Sequence, residues 1–251
     1  MKNTKIEWCD HTVNFWWGCS EVSEACQNCY ARAIAKRFKV DCWGDKPRHF
    51  RIEKATEEVL KLNASAKRRG VVETVFVNSM SDFFDPTVSD KIRRPLWWLF
   101  AECDNLCFMI LTKRANALAD NIESICGCIP PNVHFGITAE NQARLEERMS
   151  ALVGLDVKVF LSCEPLLDWI IITPSYAEQI DWVIVGGERC APSRARPFEG
   201  WRARKLLFDC RALGIPFFFK QHGTNWTEFD EDEYTFTVRE YPAWHSKGGA
   251  R

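Results

Sequence analysis

The sequence predicts an α/β fold, built as a partial or complete (β/α) barrel with parallel strands and crossover helices. Two observations predict it. Short runs rich in apolar and β-branched residues alternate with longer segments of helical spacing. Several of these runs, such as residues 108–111 and 182–185, are continuously apolar, as in parallel strands covered on both faces. Repeated β-then-α order requires a parallel sheet with crossover helices.

Seven strands and six helices follow from this pattern. The strands are predicted at Val13–Trp17, Thr74–Asn78, Cys107–Thr112, His134–Thr138, Val157–Ser162, Trp182–Gly186 and Pro216–Lys220. The helices are predicted at Tyr30–Phe38, Thr56–Lys67, Asp90–Cys103, Arg114–Cys126, Asn141–Leu152 and Trp201–Leu213.

Polar and charged residues gather after the strands, which favours a barrel over a doubly wound sheet. Barrel enzymes place their sites at the carboxyl ends of the strands. One of these strand ends, Gly186-Gly187-Glu188, is also explained by a tight turn with positive φ. The strand ends are Cys19, Asn78–Asp82, Thr112–Arg114, Thr138–Asn141, Ser162–Pro165, Gly186–Glu188 and Lys220–Gln221.

Length and composition favour one large domain. The chain has 251 residues, of which 46% are apolar, and its net charge of -1 gives no bulk attraction to nucleic acid. We assign residues 1–223 to a barrel with an N-terminal cysteine loop. Residues 224–251 carry an acidic run and a Tyr-Thr-Phe-Thr-Val run, and we expect them to form an appended strand or flexible end outside the barrel core.

The first residues and the cysteine content indicate a compartment. The N-terminal stretch has no apolar segment of the secretory type, and the twelve cysteines suit a reducing environment. No apolar run approaches the roughly 20 residues that span a bilayer. We therefore expect a cytoplasmic protein without a membrane partner.

Cys19, Cys26 and Cys29 form a C-x6-C-x2-C motif after the first predicted strand. Three thiolates can ligate three irons of a [4Fe-4S] cluster and leave the fourth iron open. A second interpretation recruits Cys9 or His11 and makes a closed structural zinc site, as in a non-enzymatic module for nucleic acid or a partner protein. Packing alone is a third, but two thiols at the Cys26–Cys29 spacing commonly share a metal.

The chain resembles the phage-associated three-cysteine-motif family, a distant branch of the radical S-adenosylmethionine (SAM) superfamily. The first cysteine gap, six residues here against three in the superfamily, is interpreted as an inserted bend in the loop. The resemblance covers most of the chain and rests on residues 6–8, 17–19, 26–31, 78–84, 111–114, 136–141, 164–167, 181–188, 195–197 and 216–221.

The resemblance implies a barrel of the radical SAM type with two cofactors, a [4Fe-4S] cluster and SAM. The enzyme would cleave SAM reductively to a 5′-deoxyadenosyl radical, which abstracts hydrogen from a substrate. A reductase or a flavodoxin-type protein would supply the electron. The protein itself would orient the reactants and exclude side reactions.

The resemblance and the strand order together imply roles for individual residues. Ser79, Ser81 and Asp82, with Asn78 beside them, would meet the SAM amino group, and Lys113 its carboxylate. Lys113 and Asp82 could instead form a structural ion pair. Thr138, Glu140 and Asn141 would lie at the ribose, and Tyr30 at the adenine or over the cluster. The residues assigned to substrate or to proton and hydrogen transfer are Cys163, Glu164, Glu188, Lys220 and Gln221.

The substrate is predicted from a segment rich in guanidinium groups. Arg194 and Arg196 follow a barrel strand and precede Trp201. Arginine forks suit phosphates, and interleaved aromatic rings suit bases. We therefore expect a nucleotide or nucleic-acid substrate at the barrel mouth.

Overall fold

The computed structural model describes residues 3–125, 128–226 and 233–248. Its main feature is a curled sheet of seven parallel strands that forms a half-barrel. Neighbouring strands follow one another in chain order, and this order confirms the predicted α/β class and partial barrel. The seven strands are β1 (His11–Val13), β4 (Glu73–Val77), β5 (Leu106–Thr112), β6 (Val133–Thr138), β7 (Val159–Cys163), β8 (Ile180–Gly186) and β9 (Phe217–Gln221).

Helices connect the parallel strands, and four of their ends carry recognisable caps. Ser89 and Asn141 accept hydrogen bonds from the first turns of α3 and α5, and Gly70 and Gly214 end α2 and α7 with positive φ. The helices are α1 (Tyr30–Arg37), α2 (Ala55–Arg69), α3 (Asp90–Glu102), α4 (Ala115–Ile125), α5 (Gln142–Ser150), α6 (Pro174–Ala177), α7 (Gly200–Leu213) and α8 (Glu233–Thr237), with a 3-10 turn at Glu24–Cys26. Among the described residues, no helix is both long and apolar enough to cross a bilayer.

The sheet has an outer and an inner apolar layer because successive residues of a strand point to opposite faces. In β7, Val159, Leu161 and Cys163 belong to the larger cluster between sheet and helices. Phe160, between them, belongs to a smaller inner cluster with Trp182. The face on which a residue lies therefore decides whether it can reach the barrel interior.

The first predicted strand, Val13–Trp17, is wrong as a single element. β1 ends at Val13, and β2 (Trp16–Trp17) pairs antiparallel with β3 (Phe50–Arg51) in a separate two-stranded sheet. The break occurs at Asn14, whose side chain accepts a hydrogen bond from the Met80 amide at 2.8 Å. This contact turns the chain out of the sheet at the point where the cysteine loop begins.

The C-terminal segment also differs from the expectation. α8 occupies most of the Tyr-Thr-Phe-Thr-Val run, which was expected in an appended strand or flexible end. The next residues pair antiparallel with β9 through a bridge between Arg239 and Phe218. Tyr241 and Trp244 then pack against the inner cluster, and His245 is buried. Residues 241–245 thus pack against the inner face of the sheet instead of lying outside the barrel core.

Candidate functional site

A cavity of about 880 Å³ opens at the carboxyl ends of the parallel strands. This volume lies within the range of small-molecule and cofactor sites. Cys19, Cys26 and Cys29 all line it, together with residues at the ends of β4, β5, β6, β7 and β9. The cysteine loop and the polar strand ends therefore share one space.

Thirteen of the nineteen residues predicted from the sequence line this cavity. They are Cys19, Cys26, Cys29, Tyr30, Asn78, Ser79, Ser81, Asp82, Lys113, Thr138, Glu164, Lys220 and Gln221. The other six, which are not among its lining residues, are Glu140, Asn141, Cys163, Glu188, Arg194 and Arg196. Structural contacts explain several of these six exceptions.

Cys163 is wrong as a hydrogen-relay residue. It lies in the outer layer, fully buried between sheet and helices, because it shares the face of Val159. Burial raises the pKa of its thiol well above the ordinary value. Its neighbour Glu164 lies on the opposite face, lines the cavity and forms an ion pair with Lys220.

Arg114 connects the cysteine loop to the ends of two strands. Its side chain is 10% exposed and forms ion pairs with Asp82 at 3.1 Å and Asp85 at 3.4 Å. The same guanidinium donates to the Ser20 carbonyl at 3.1 Å and approaches the Cys19 Sγ at 3.7 Å. Arg114 therefore joins the first cysteine to the strand ends of β4 and β5.

The Asp82 carboxylate already has hydrogen-bond partners within the protein. Besides Arg114, its carboxylate accepts hydrogen bonds from the Thr112 hydroxyl at 2.7 Å and the Lys113 amide at 3.1 Å. The predicted alternative of a Lys113–Asp82 ion pair is therefore wrong, since Arg114 takes that place. The Lys113 ammonium faces the cavity and has no carboxylate partner in the described ranges.

Two of the three residues predicted at the ribose, Glu140 and Asn141, make structural contacts instead. Glu140 is fully buried and pairs with Arg148 through an Nη1–Oε2 contact of 2.6 Å. Burial alone would raise the pKa of Glu140, but the Arg148 charge and hydrogen bond hold it below the ordinary value. Asn141 caps α5 by accepting from the Arg144 amide at 2.9 Å. Only Thr138 of this group lines the cavity.

Glu188 and Arg196 hold the cysteine loop. The Glu188 carboxylate accepts from the Arg196 Nε at 3.1 Å and from the Asn28 side chain at 3.0 Å. Arg196 also donates to the Glu24 carbonyl at 3.0 Å. The substrate role of Arg196 stays a prediction, and its guanidinium already has a carboxylate partner. Arg194 is exposed and its carbonyl accepts from Asn28.

The glycines before Glu188 serve close approach and not positive φ. Neither Gly186 nor Gly187 has a positive φ. A Cβ built on Gly187 would lie 1.9 Å from the His222 carbonyl oxygen, because the Gly187 amide donates to the Gln221 carbonyl at 2.8 Å. The loops that follow β8 and β9 touch here, so only glycine fits.

Tyr30 is tied across the mouth of the cavity. Its hydroxyl donates to the Ser79 carbonyl at 2.7 Å, and its side chain is 46% exposed. The contact joins the first residue of α1, directly after Cys29, to the loop that follows β4. The ring is therefore held between the cysteine loop and the strand end predicted to meet SAM.

Cys19, Cys26 and Cys29 all carry free thiols, and all three residues are partly exposed at the cavity. No group of three His, Cys, Asp or Glu side chains is arranged around one ion within residues 3–125, 128–226 and 233–248. A [4Fe-4S] cluster does not need that arrangement, since each thiolate binds a different iron. Burial raises the pKa of the Cys19 thiol to about 12, with Asp82 adding to it, whereas the Arg114 charge favours the thiolate that a metal requires.

Neither of the residues predicted to complete a zinc site lines the cavity. Cys9 is buried in the inner cluster and donates to the Ile6 carbonyl. His11 is 3.2 Å from Glu73, the first residue of β4. Cys9 is not among the cavity residues, and His11 lies at the opposite, amino-terminal end of the sheet.

A family model matches residues 3–241. The chain belongs to the DUF5131 family. The description of this family is "protein of unknown function". Comparison of the chain with the curated proteins and with the solved structures gives no match. The DUF5131 assignment covers the half-barrel, the cysteine loop and α8, so the cavity lies inside the region that defines the family.

The sequence interpretation missed several cavity and loop residues. Arg114 and Asp85 organise the cysteine loop, Asn28 ties it to the loop after β8, and Arg189 and Cys190 line the cavity. Arg114 stands beside Lys113 in a segment that was singled out. Its role in pairing was given to the wrong neighbour because the sequence does not show which of the two turns toward Asp82.

Proposed function

We propose that this protein is a radical SAM-type enzyme with a [4Fe-4S] cluster on Cys19, Cys26 and Cys29. One observation carries the proposal: the three thiols of the motif line the same cavity as the polar ends of five parallel strands. A metal with a purely structural role does not require a cavity of this size, whereas barrel enzymes place their active sites at this end of the strands. When bound, the cluster would supply an electron for reductive cleavage of SAM and so a radical for hydrogen abstraction.

The chain's own residues would bind and orient SAM. Lys113, an ammonium without a carboxylate partner among the described residues, suits the SAM carboxylate. Ser79 and Ser81, which follow β4, line the same cavity. The Ser79 hydroxyl accepts from the Asn14 side chain and the Ser81 hydroxyl donates to the Trp16 carbonyl, and each oxygen has a further lone pair for the SAM amino group. Asp82 acts indirectly in this proposal, because its carboxylate already holds Arg114 and the end of β5.

Glu164 and Lys220 would act on the substrate. They form an ion pair within the cavity, supported by a hydrogen bond from Ser162 to Glu164. A paired carboxylate and ammonium can hold a polar substrate group or exchange a proton with it. We further propose a nucleotide or nucleic-acid substrate, an electron donor of the reductase or flavodoxin type, and a cytoplasmic location.

Anaerobic reconstitution with iron and sulfide tests the cluster. The protein is expected to be brown, with about four irons and about four sulfides per chain. Cys26→Ala is expected to lose the cluster, whereas the matched control Cys210→Ala, in the buried layer of α7, is expected to retain it. A colourless protein with one zinc per chain would favour a non-enzymatic binding module.

Reductive cleavage of SAM tests the activity. Dithionite-reduced protein is expected to produce 5′-deoxyadenosine from SAM and to change its electron paramagnetic resonance spectrum when SAM is added. Lys113→Met is expected to retain the iron but to require more SAM for the same spectral change. An intact cluster that yields neither product nor spectral change would contradict the enzyme proposal.

A further inference from the structure

The segment that follows the cysteine loop is strongly basic. Residues 30–54, here called the basic lobe, contain eight basic and three acidic residues, although the whole chain has a net charge of -1. The lobe comprises α1, a connecting loop and β3. Its basic residues are Arg32, Lys36, Arg37, Lys39, Lys46, Arg48, Arg51 and Lys54, and its acidic residues are Asp41, Asp45 and Glu53.

The charges of the basic lobe are largely uncompensated. Arg32 forms an ion pair with Glu21. The other seven basic side chains are exposed, and none has a carboxylate within 4.0 Å in the described part of the chain. Seven unpaired cations on one short segment repel one another and attract a polyanion. A phosphate backbone would relieve this repulsion and release its own counterions.

Two exposed aromatic rings lie among these cations. Phe38 is 66% exposed and Phe50 is 49% exposed. Both contact the ring of Trp17 edge-on, with centroid distances of 6.0 Å and 6.3 Å. Trp17 therefore contacts two aromatic rings that are exposed at the surface. Exposed aromatic rings in a basic surface are the combination on which unpaired bases stack.

The basic lobe borders the cavity. Ala31, Ile34 and Trp43 belong to the lobe and also line the cavity wall. Trp43 forms a bridge with Cys19, so the lobe is joined directly to the first cysteine of the motif. A polymer that lies on the lobe would pass the opening of the cavity.

We propose that the basic lobe binds single-stranded nucleic acid, with phosphates on its cations and bases stacked on Phe38 and Phe50. A duplex offers the same phosphates but its bases are already stacked, and an acidic polypeptide offers charge without bases. Binding by the lobe does not depend on a cluster. The inference that the bound strand is also the substrate rests on the proposed function.

The test uses the full chain and a fluorescent oligothymidylate of about 20 nucleotides, with fluorescence anisotropy as the readout. Phe38→Ala is expected to weaken binding by roughly 5- to 100-fold, because one stacked base is lost. The matched control is Phe208→Ala in α7, which removes a ring of the same 66% exposure far along the sequence and is expected to leave the affinity unchanged. Both variants are expected to keep the thermal midpoint of the parent protein.

The salt dependence tests the phosphate contacts. The double variant Lys36→Gln/Arg37→Gln is expected to reduce the slope of log affinity against log salt by about 1.4, since each single-strand phosphate contact contributes about 0.7. The control Lys67→Gln/Arg68→Gln removes two exposed charges from the last turn of α2 and is expected to leave the slope unchanged.

Three outcomes would overturn the proposal. One is no binding of the oligonucleotide at about 50 mM salt. Another is equal loss of affinity in the lobe variants and their controls. The third is binding of polyglutamate as tight as that of the oligonucleotide and insensitive to Phe38→Ala, which would indicate an acidic protein partner. None of these measurements uses the cluster or SAM, so a failure here is distinct from a failure of the proposed function.

Discussion

Replacing Arg114 by methionine tests whether the ion pairs of Arg114 hold the cysteine loop in place. The substitution keeps an unbranched side chain of similar length but removes the charge between Asp82 and Asp85. The side chains of these two aspartates are 8% and 0% exposed, so neither can recover its hydration without a local opening. Breaking a buried ion pair from one side costs about 3–5 kcal/mol.

The expected cost translates into a measurable change in thermal stability. For a chain of this size, 1 kcal/mol corresponds to roughly 2–4 °C in the unfolding midpoint, so Arg114→Met is expected to lower it by about 6–20 °C. The loss is measured by circular dichroism and by chemical denaturation. The control Arg144→Met removes partly exposed ion pairs with Glu24 and Glu147 and is expected to cost about 1 kcal/mol or less.

The pH dependence of Arg114→Met gives a second readout. Burial alone would raise the pKa of Asp85, but hydrogen bonds from Thr87 and the Arg114 charge hold it below its usual value. A depressed carboxyl pKa stabilises the fold above the unfolded pKa and loses this effect as the pH falls. The difference between parent and variant is therefore expected to shrink toward acid pH. A change below about 2 °C at neutral pH, or a difference that grows in acid, would refute the reasoning.

Two other variants test the inner layer and the junction of the loops after β8 and β9. Burial lowers the pKa of His245 from its ordinary value of 6.5 to about 4, so between these two pH values the unfolded chain binds a proton that the folded chain does not. Stability is expected to be full above pH 6.5 and to fall by up to ~3 kcal/mol toward pH 4, and denaturation of His245→Gln should show a flatter profile over this range. Gly187→Ala is expected to cost about 1–3 kcal/mol or to give insoluble protein, because its Cβ would meet the His222 carbonyl. Gly186→Ala, whose nearest neighbour would be a side-chain oxygen at 3.3 Å, is the control, and equal losses of unfolding free energy in the two would contradict the explanation.

The order of strands and helices follows from the sequence because parallel strands are short apolar runs separated by amphipathic helices. The predicted strand at 74–78 differs from β4 by one residue at each end. The same apolar runs conceal which face of each strand is inner. Cys163 and Glu164 are adjacent, and Lys113 and Arg114 are adjacent, so without polar alternation the sequence could not assign either pair to its faces.

The contacts that cross the chain were also beyond the sequence. Nothing local in Glu188 or Arg196 shows that they hold a loop about 160 residues earlier, since ion pairs of this kind depend on the sheet order. Residues 241–245 were expected outside the core because they belong to the segment 224–251, which carries an acidic run and was expected to form an appended strand or flexible end. Their aromatic rings are typical of a core, and that composition was the available signal.

The packing of residues 241–245 has a consequence for biosynthesis. His245 donates to the Trp8 carbonyl at 2.9 Å, and Trp244 stacks on His134 with a centroid distance of 4.0 Å. These residues are synthesised after all seven parallel strands. Part of the inner face of the sheet therefore remains exposed to water while the strands are being translated. In the nascent half-barrel, Phe160 and Trp182 therefore lack the cover of the Trp244 ring until synthesis has passed that residue.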